Sequence, residues 1–160
     1  MYILMSTVNE THIYQIIDSE TGVEFNRLDV GAMSGLKSNQ PTLAFSNFFQ
    51  RQNGAYVDSS LVVQVVPSGA FLLEWDSSLN IYVERASWEV KSVPPSHGKP
   101  LEIVAASVNG SQVALALSGG NIIMLCIENN AAKFKELMWV SPRHSSVQFL
   151  TASAFLANIP

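Results

Sequence analysis

The side chains best suited to chemistry in this sequence are three histidines and one cysteine. The intervals between His12, His97 and His144 match no metal-binding pattern such as Cys-x-x-Cys or His-x-x-x-His, so we expect ordinary surface or edge histidines. Cys126 lies in an apolar run, which favours a buried structural thiol. As the single cysteine it excludes an internal disulfide and favours a reducing compartment. The sequence therefore predicts no metal site and no thiol chemistry.

Two glycine-containing segments are candidates for nucleophilic catalysis and phosphate binding. The segment from Gly31 to Gly35 contains Ser34, but it has the wrong spacing for a Gly-x-Ser-x-Gly nucleophile elbow and no helix after it. Gly119-Gly120 lacks the Lys-Ser/Thr ending and the helix of a phosphate loop, and it is typical of a hairpin turn. Neither segment predicts catalysis or cofactor binding.

The acidic residues form no catalytic pair either. Asp18 with Glu20, and Glu84 with Glu89, fall at outer-strand or turn positions. These positions lack the apolar pocket that raises the pKa of one carboxylate in acid–base catalysis. We therefore predict solvated charges, no catalytic, cofactor-binding or metal-binding residues, no cofactor, and a protein that is not an enzyme.

Composition excludes further functional classes. With 48% hydrophobic and 14% charged residues in 160 positions, the chain is a folded domain and not a disordered segment. Its net charge is −4 and its basic residues are scattered singly, which gives no electrostatic footprint for nucleic acid. No stretch approaches the ~20 apolar residues that cross a bilayer. We expect nucleic acid to be contacted only indirectly, and neither a membrane nor a small-molecule substrate as partner.

The strongest pattern is an internal repeat with a period of fifty-one residues. Sliding the sequence from Leu61 forward by this period brings apolar, turn and aromatic positions into coincidence. A period in this range, written as short strands around glycine-containing turns, is typical of four-stranded β-propeller blades. The coinciding pairs are Val66 with Leu117, Gly69 with Gly120, Phe71 with Ile122, Leu73 with Met124, and Trp88 with Trp139.

The predicted fold class is therefore all-β, a partial, WD40-like propeller of about three blades with four antiparallel strands each. A closed ring needs ~4–8 blades, so we expect the chain to belong to a larger protein or to pack against another chain. The predicted organisation is the end of a preceding blade at 1–28, a linker at 29–41, a blade at 42–91, a linker at 92–101, a blade at 102–140 and the start of a further blade at 141–160.

This organisation predicts the position of several individual side chains and turns. In the first segment we expect Val23, Phe25 and Leu28 to face inward. One of Phe48 and Phe49 is expected to pack in the core, and a partner contact is one of the alternatives for the other. The turns are predicted at Asn53-Gly54 and Asn109-Gly110. The three tryptophans Trp75, Trp88 and Trp139 are expected in blade-to-blade packing. Blade flanks without a neighbouring blade are expected at Phe45, Val65, Leu73, Leu115 and Met124.

Residues 61–73 and 104–128 resemble a family of large triple-propeller proteins. This family comprises the damaged-DNA-binding protein large subunit, the cleavage and polyadenylation specificity factor large subunit, and the 130-kilodalton subunit of splicing factor 3b. Residues 109–113 are most similar to the first member, and residues 156–160 to the splicing member. The segments 48–58 and 92–100 depart from the compact family pattern, which leaves open a divergent relative such as the heterochromatin-associated one in fungi.

The resemblance implies a non-catalytic scaffold. In the damaged-DNA-binding member the second propeller docks a cullin and the other propellers hold substrate receptors, which implies a nuclear cullin-RING ubiquitin ligase adaptor in DNA repair or heterochromatin regulation. The alternative is a subunit of a pre-mRNA splicing or 3′-end cleavage and polyadenylation complex, with RNA-processing subunits as partners. The cytoplasm stays open as a second location. A propeller hydrolase or lyase would need clustered polar residues on inner strands, but 42–46 and 104–107 supply mainly small ones.

Overall fold

The computed structural model describes residues 2–28, 35–48, 50–52, 55–57, 60–91, 101–128 and 133–140, and these residues form β-strands and no helix. The predicted features at Phe49, Asn53-Gly54, His97, His144 and residues 141–160 lie outside this part of the chain. The strands are β1 (Tyr2–Ser6), β2 (Thr11–Ser19), β3 (Gly22–Leu28), β4 (Ala44–Asn47), β5 (Gln50–Gln52), β6 (Ala55–Val57), β7 (Leu61–Val66), β8 (Gly69–Asp76), β9 (Ile81–Glu89), β10 (Ile103–Asn109), β11 (Gln112–Leu117), β12 (Ile122–Glu128) and β13 (Lys133–Val140).

The strands build three antiparallel sheets and one separate hairpin. The first sheet has the order β1-β2-β3, the second β4-β7-β8-β9, and the third β10-β11-β12-β13. The hairpin β5-β6 is inserted between the first two strands of the second sheet, whereas a tight turn through Gly110 joins the same strands in the third. The fold is all-β and corresponds to a partial β-propeller, as predicted.

The repeat is visible in the strands themselves. The bounds of β7 and β11 differ by the predicted period, since Leu61–Val66 corresponds to Gln112–Leu117. Trp88 and Trp139 both lie on the fourth strand of their sheets, as the repeat predicted. In both sheets, the pairing of the third with the fourth strand contains a β-bulge. A bulge increases the local twist, so the two sheets twist at corresponding places.

The second sheet is covered on both faces, which explains the nearly continuous apolar sequence of β7. One core cluster lies between the first and second sheets and includes Ile13, Phe71 and Leu73. A larger cluster lies between the second and third sheets. Its buried members are Phe48, Val63, Val65, Ala70, Leu72, Ile103, Val113, Leu115, Leu117, Ile123, Leu125, Ile127 and Phe134.

The buried fractions correct two expectations and confirm a third. Val65, Leu73, Leu115 and Met124 were expected on uncovered flanks, but they are at most 3% exposed. The three that belong to the core clusters are buried because the sheets stack directly on one another within the chain. The expectation that Val23 and Phe25 face inward is also wrong, since both are exposed. The expectation that one phenylalanine of the 48–49 pair packs in the core is confirmed by Phe48.

Candidate protein-interaction surface

The first sheet has one covered face and one open face. Successive side chains of a strand point to opposite faces, and directly paired residues share a face. The pairing Leu4–Ile13–Leu28 places these residues on the face that packs against the second sheet. The opposite face is called here the outer face of the first sheet. Its apolar and aromatic side chains are Ile3, Met5, Tyr14, Ile16, Val23 and Phe25.

Several large apolar side chains of the outer face are exposed to solvent. Met5 is 52% exposed, Val23 58% and Phe25 60%, while Tyr14 and Ile16 between them are partly buried. Single exposed apolar residues are ordinary on protein surfaces, but a contiguous group on one rigid sheet marks an interaction site. The arrangement therefore indicates a protein-binding face.

A polar cluster lies at one end of the outer face itself, where His12 pairs directly with Met5 and Arg27 pairs with Tyr14. Nη2 of Arg27 lies 2.8 Å from Nδ1 of His12, and Oε1 of Glu10 lies 3.2 Å from Nε2. A guanidinium can only donate hydrogen bonds, so Nδ1 accepts and the ring carries its proton on Nε2, where it faces the carboxylate. This places a cation and an anion at one margin of the apolar face, the pattern of a polar rim around an apolar interface core.

A chain of hydrogen bonds fixes the first sheet against the second. The Thr11 hydroxyl donates to the carbonyl of Gln40 at 3.0 Å and lies 2.7 Å from the Thr42 hydroxyl. The Thr42 hydroxyl accepts from Nε2 of Gln64 at 2.9 Å, and Oε1 of Gln64 accepts from the Lys37 backbone N–H at 2.9 Å. Gln64 is fully buried, so these partners supply the hydrogen bonds that burial would otherwise remove. The outer face is thus presented on a fixed support.

The segment that leads from the first to the second sheet is held by close contacts. Nζ of Lys37 lies 4.5 Å from the centre of the Phe71 ring and 3.0 Å from a carboxylate oxygen of Glu84. Gly35 has a φ of +103°, and a Cβ there would lie 1.8 Å from the Tyr82 carbonyl oxygen. Only glycine fits such a close approach of two backbones in this conformation.

The other residues with chemical potential have structural surroundings. Trp75 packs edge-on against Tyr82 with ring centres 5.0 Å apart. Cys126 is partly buried, so its thiol is less enclosed than predicted. Lys135 pairs with Glu128 at 3.5 Å across two neighbouring strands. Within the described ranges, no three His, Cys, Asp or Glu side chains are grouped to hold a metal, and no helix could span a membrane.

Sequence reasoning missed the outer face because it assigned Val23 and Phe25 to the interior together with Leu28. The signal was available in the spacing. Leu28 is an odd number of positions from both other residues, so a regular strand cannot place it on their face. The same alternation holds on β1, where Ile3 and Met5 are exposed and Leu4 between them packs against the core.

The stacked antiparallel sheets, the blade-length repeat and the apolar outer face define a β-propeller scaffold protein. The family model described as the RSE1/DDB1/CPSF1 second beta-propeller matches residues 1–157. The chain belongs to this family of propeller scaffolds, as the resemblance of its strands and turns indicated. No curated protein matches the chain.

Proposed function

We propose that this chain is a non-catalytic protein-interaction scaffold that acts in the nucleus as part of an adaptor of a cullin-RING ubiquitin ligase. The observation that carries the proposal is the outer face of the first sheet, with three side chains more than half exposed on a sheet that is fixed from behind. The family assignment supports a scaffold, and the cullin is the partner that the damaged-DNA-binding member of the family suggests.

The physical character of the outer face suits a protein partner. Binding energy at protein interfaces concentrates in a few apolar or aromatic side chains enclosed by a polar rim. Phe25 and Met5 supply such side chains, and Glu10 and Arg27 lie at the margin. The covered face is anchored through Ile13. Because the sheet is already held in place, little conformational freedom is lost when a partner binds the opposite face.

The direct test measures binding of the purified chain to a purified cullin by calorimetry. Phe25→Glu should weaken binding by about tenfold or more, because it places a charge at the centre of an apolar interface. Leu79→Glu is the matched control, since Leu79 is 63% exposed but lies in the turn between β8 and β9 of the second sheet. Binding that both variants weaken equally, or no binding by the unmodified chain, would contradict the proposal.

A second candidate follows from the same family, whose description joins DDB1 with RSE1 and CPSF1. In this version the chain is part of a splicing or 3′-end-processing subunit and the outer face holds an RNA-processing protein. Affinity capture from nuclear extract separates the two candidates. Recovery of cullin with the unmodified chain but not with Phe25→Glu supports the first candidate, and recovery of RNA-processing subunits with the same dependence supports the second.

Localisation is tested separately by imaging a fluorescent fusion in living cells. We expect the signal in the nucleus. A signal confined to the cytoplasm would contradict the proposed location and leave the binding tests unaffected.

A further inference from the structure

The last strands of the three sheets differ in the shape of their outer edges. The pairing of β8 with β9 leaves Arg85 as an extra residue on β9, and the pairing of β12 with β13 leaves Leu137 as an extra residue on β13. Such a bulge twists an edge strand away from further pairing. β3 pairs with β2 in one uninterrupted register from Gly22 to Leu28 and contains neither a bulge nor a proline. Its outer edge is therefore regular along the whole strand.

The hydrogen bonds of the first sheet show which backbone groups of β3 point outward. The Thr7 N–H donates to the Glu10 carbonyl at 2.8 Å, which fixes the alternation of bonded pairs along β1 and β2. By this alternation every second residue of β3 bonds to β2, beginning with Gly22, and the residues between them direct their N–H and C=O groups away from β2. These outward residues are Val23, Phe25 and Arg27. Among the described residues, β3 pairs with β2 alone.

The side chains of β3 are exposed as well as its outer edge. Every residue from Gly22 to Arg27 is exposed, although alternate side chains point to opposite faces of the sheet. Phe25, in the middle of the strand, is 60% exposed. A regular, exposed edge strand that carries apolar side chains is a template for pairing with another strand.

We propose that β3 pairs with β3 of a second copy of this chain, antiparallel and with the two Phe25 residues directly opposite each other. Phe25 is the middle residue of the strand, so this register pairs all seven residues and brings the outward groups of both copies together. Val23 then lies opposite Arg27, whose aliphatic stem packs against apolar side chains. Glu24 lies opposite Asn26, whose amide donates to a carboxylate.

The neighbouring registers are less favourable. Directly opposite residues share a face, so the contact has a two-fold axis and the register is defined by the residue on that axis. An axis at Glu24 places two like charges opposite each other, which is destabilising. An axis at Asn26 leaves Gly22 and Val23 without partners. Pairing at β3 joins two sheets edge to edge and leaves the outer face open, so the inference does not depend on the proposed function.

Disulfide cross-linking of the full chain tests the register. In a Cys126→Ser background, Phe25→Cys should form a covalent dimer on mild oxidation, because opposite residues of a hydrogen-bonded pair have Cα atoms ~5.5 Å apart. Val23→Cys is the matched control, since Val23 is 58% exposed but its two copies would lie ~13 Å apart along the strands. A mixture of Val23→Cys and Arg27→Cys should cross-link, although neither variant should do so alone.

Sedimentation equilibrium of the unmodified chain and of Val23→Pro provides the second measurement. Proline at this position removes an outward N–H and none that bonds to β2. The unmodified chain should form dimers as its concentration rises, and Val23→Pro should raise the dissociation constant by about tenfold or more. Where circular dichroism shows that Val23→Pro disturbs the fold, the cross-linking comparison decides.

Three outcomes would overturn the proposal. One is an unmodified chain that stays monomeric up to about millimolar concentration. Another is equal cross-linking by Phe25→Cys and Val23→Cys, which would mean that exposed thiols meet by chance collision. The last is a dimer that a folded Val23→Pro forms as readily as the unmodified chain, which would mean that another surface holds the two copies together.

Discussion

Nε1 of Trp88 donates a hydrogen bond of 2.6 Å to Oε1 of Glu136. Trp88 lies on β9 and Glu136 on β13, the fourth strands of the second and third sheets. The contact therefore joins two neighbouring blades at their outer strands, and the apolar core cluster joins the same blades at their inner strands. The partly buried Trp88 ring also packs against that core. The repeat predicted where the tryptophan would lie but not that its N–H would reach a carboxylate of the next blade.

Replacing Trp88 with phenylalanine should lower the free energy of unfolding by about 1–2 kcal/mol, because it removes a hydrogen bond to a charged acceptor and keeps most of the ring packing. Glu136→Gln keeps an acceptor but removes its charge, and should cost less. Urea denaturation of both variants and of the double variant measures the coupling. Strictly additive effects would show that the hydrogen bond contributes nothing to stability.

Residues that act through local spacing were predictable from the sequence. The period that relates Leu61 to Gln112, and the glycine turn at Gly110, followed from alternation and turn chemistry alone. The buried flanks did not, because burial of Val65 and Leu73 depends on which sheets stack, and no pattern within one strand records that.

The outer face of the first sheet and the hydrogen bonds of Gln64 show the same difference between what local spacing predicts and what it cannot predict. The odd spacing between Phe25 and Leu28 places the two side chains on opposite faces of the strand. The sequence therefore contained the information that Phe25 does not share the face of Leu28, although our prediction placed both inward. The partners of Gln64 were not predictable, since Thr11 and Thr42 are distant in sequence and meet only after the first sheet has packed on the second. A glutamine inside an apolar run indicates a buried polar contact, but the run does not name the partner.

Gln64→Leu should destabilise the chain by about 1–3 kcal/mol, because the substitution leaves the partly buried backbone N–H of Lys37 without its acceptor. Gln112→Leu is the matched control on β11 of the third sheet. Among the described residues, the buried Oε1 atom of Gln112 has no hydrogen-bond partner, so its removal should be neutral or stabilising. Thermal unfolding of both variants checks the prediction, and an equal loss in the two would show that the network around Gln64 is not the cause.

Gly35→Ala should cost more than ~3 kcal/mol or prevent folding, since its Cβ would collide with the Tyr82 backbone in an already unfavourable conformation. Gly110→Ala should cost only about 1–2 kcal/mol, because φ is also positive there but no described residue beyond its two chain neighbours comes within 4 Å of the added Cβ. Comparison of the two urea midpoints separates collision from backbone strain. Similar midpoints would mean that the connection at Gly35 rearranges without difficulty.

The turn between β8 and β9 should make stability depend on acidity. The Ser78 hydroxyl donates to Oδ1 of Asp76 at 2.6 Å, and the backbone N–H groups of Ser78 and Leu79 donate to the same oxygen. These hydrogen bonds, the hydroxyl's first, lower the pKa of Asp76 below its ordinary value of 3.8. A carboxylate with a lowered folded-state pKa stabilises the fold above its unfolded-state pKa, and this contribution is lost as the pH falls through the folded-state value.

Asp76→Asn should therefore lower the urea midpoint at about pH 7 and have a progressively smaller effect as the pH falls from the unfolded-state pKa of the aspartate through its lowered folded-state pKa. Ser78→Ala removes the largest cause of the lowered pKa, so an NMR titration of that variant should show the Asp76 pKa moving back toward its ordinary value. The turn backbone is expected to persist in both variants, because Asn80 keeps its positive φ and β9 begins directly after it. A midpoint difference between Asp76→Asn and the unmodified chain that stays constant across this pH range would show that charge at Asp76 does not stabilise the turn.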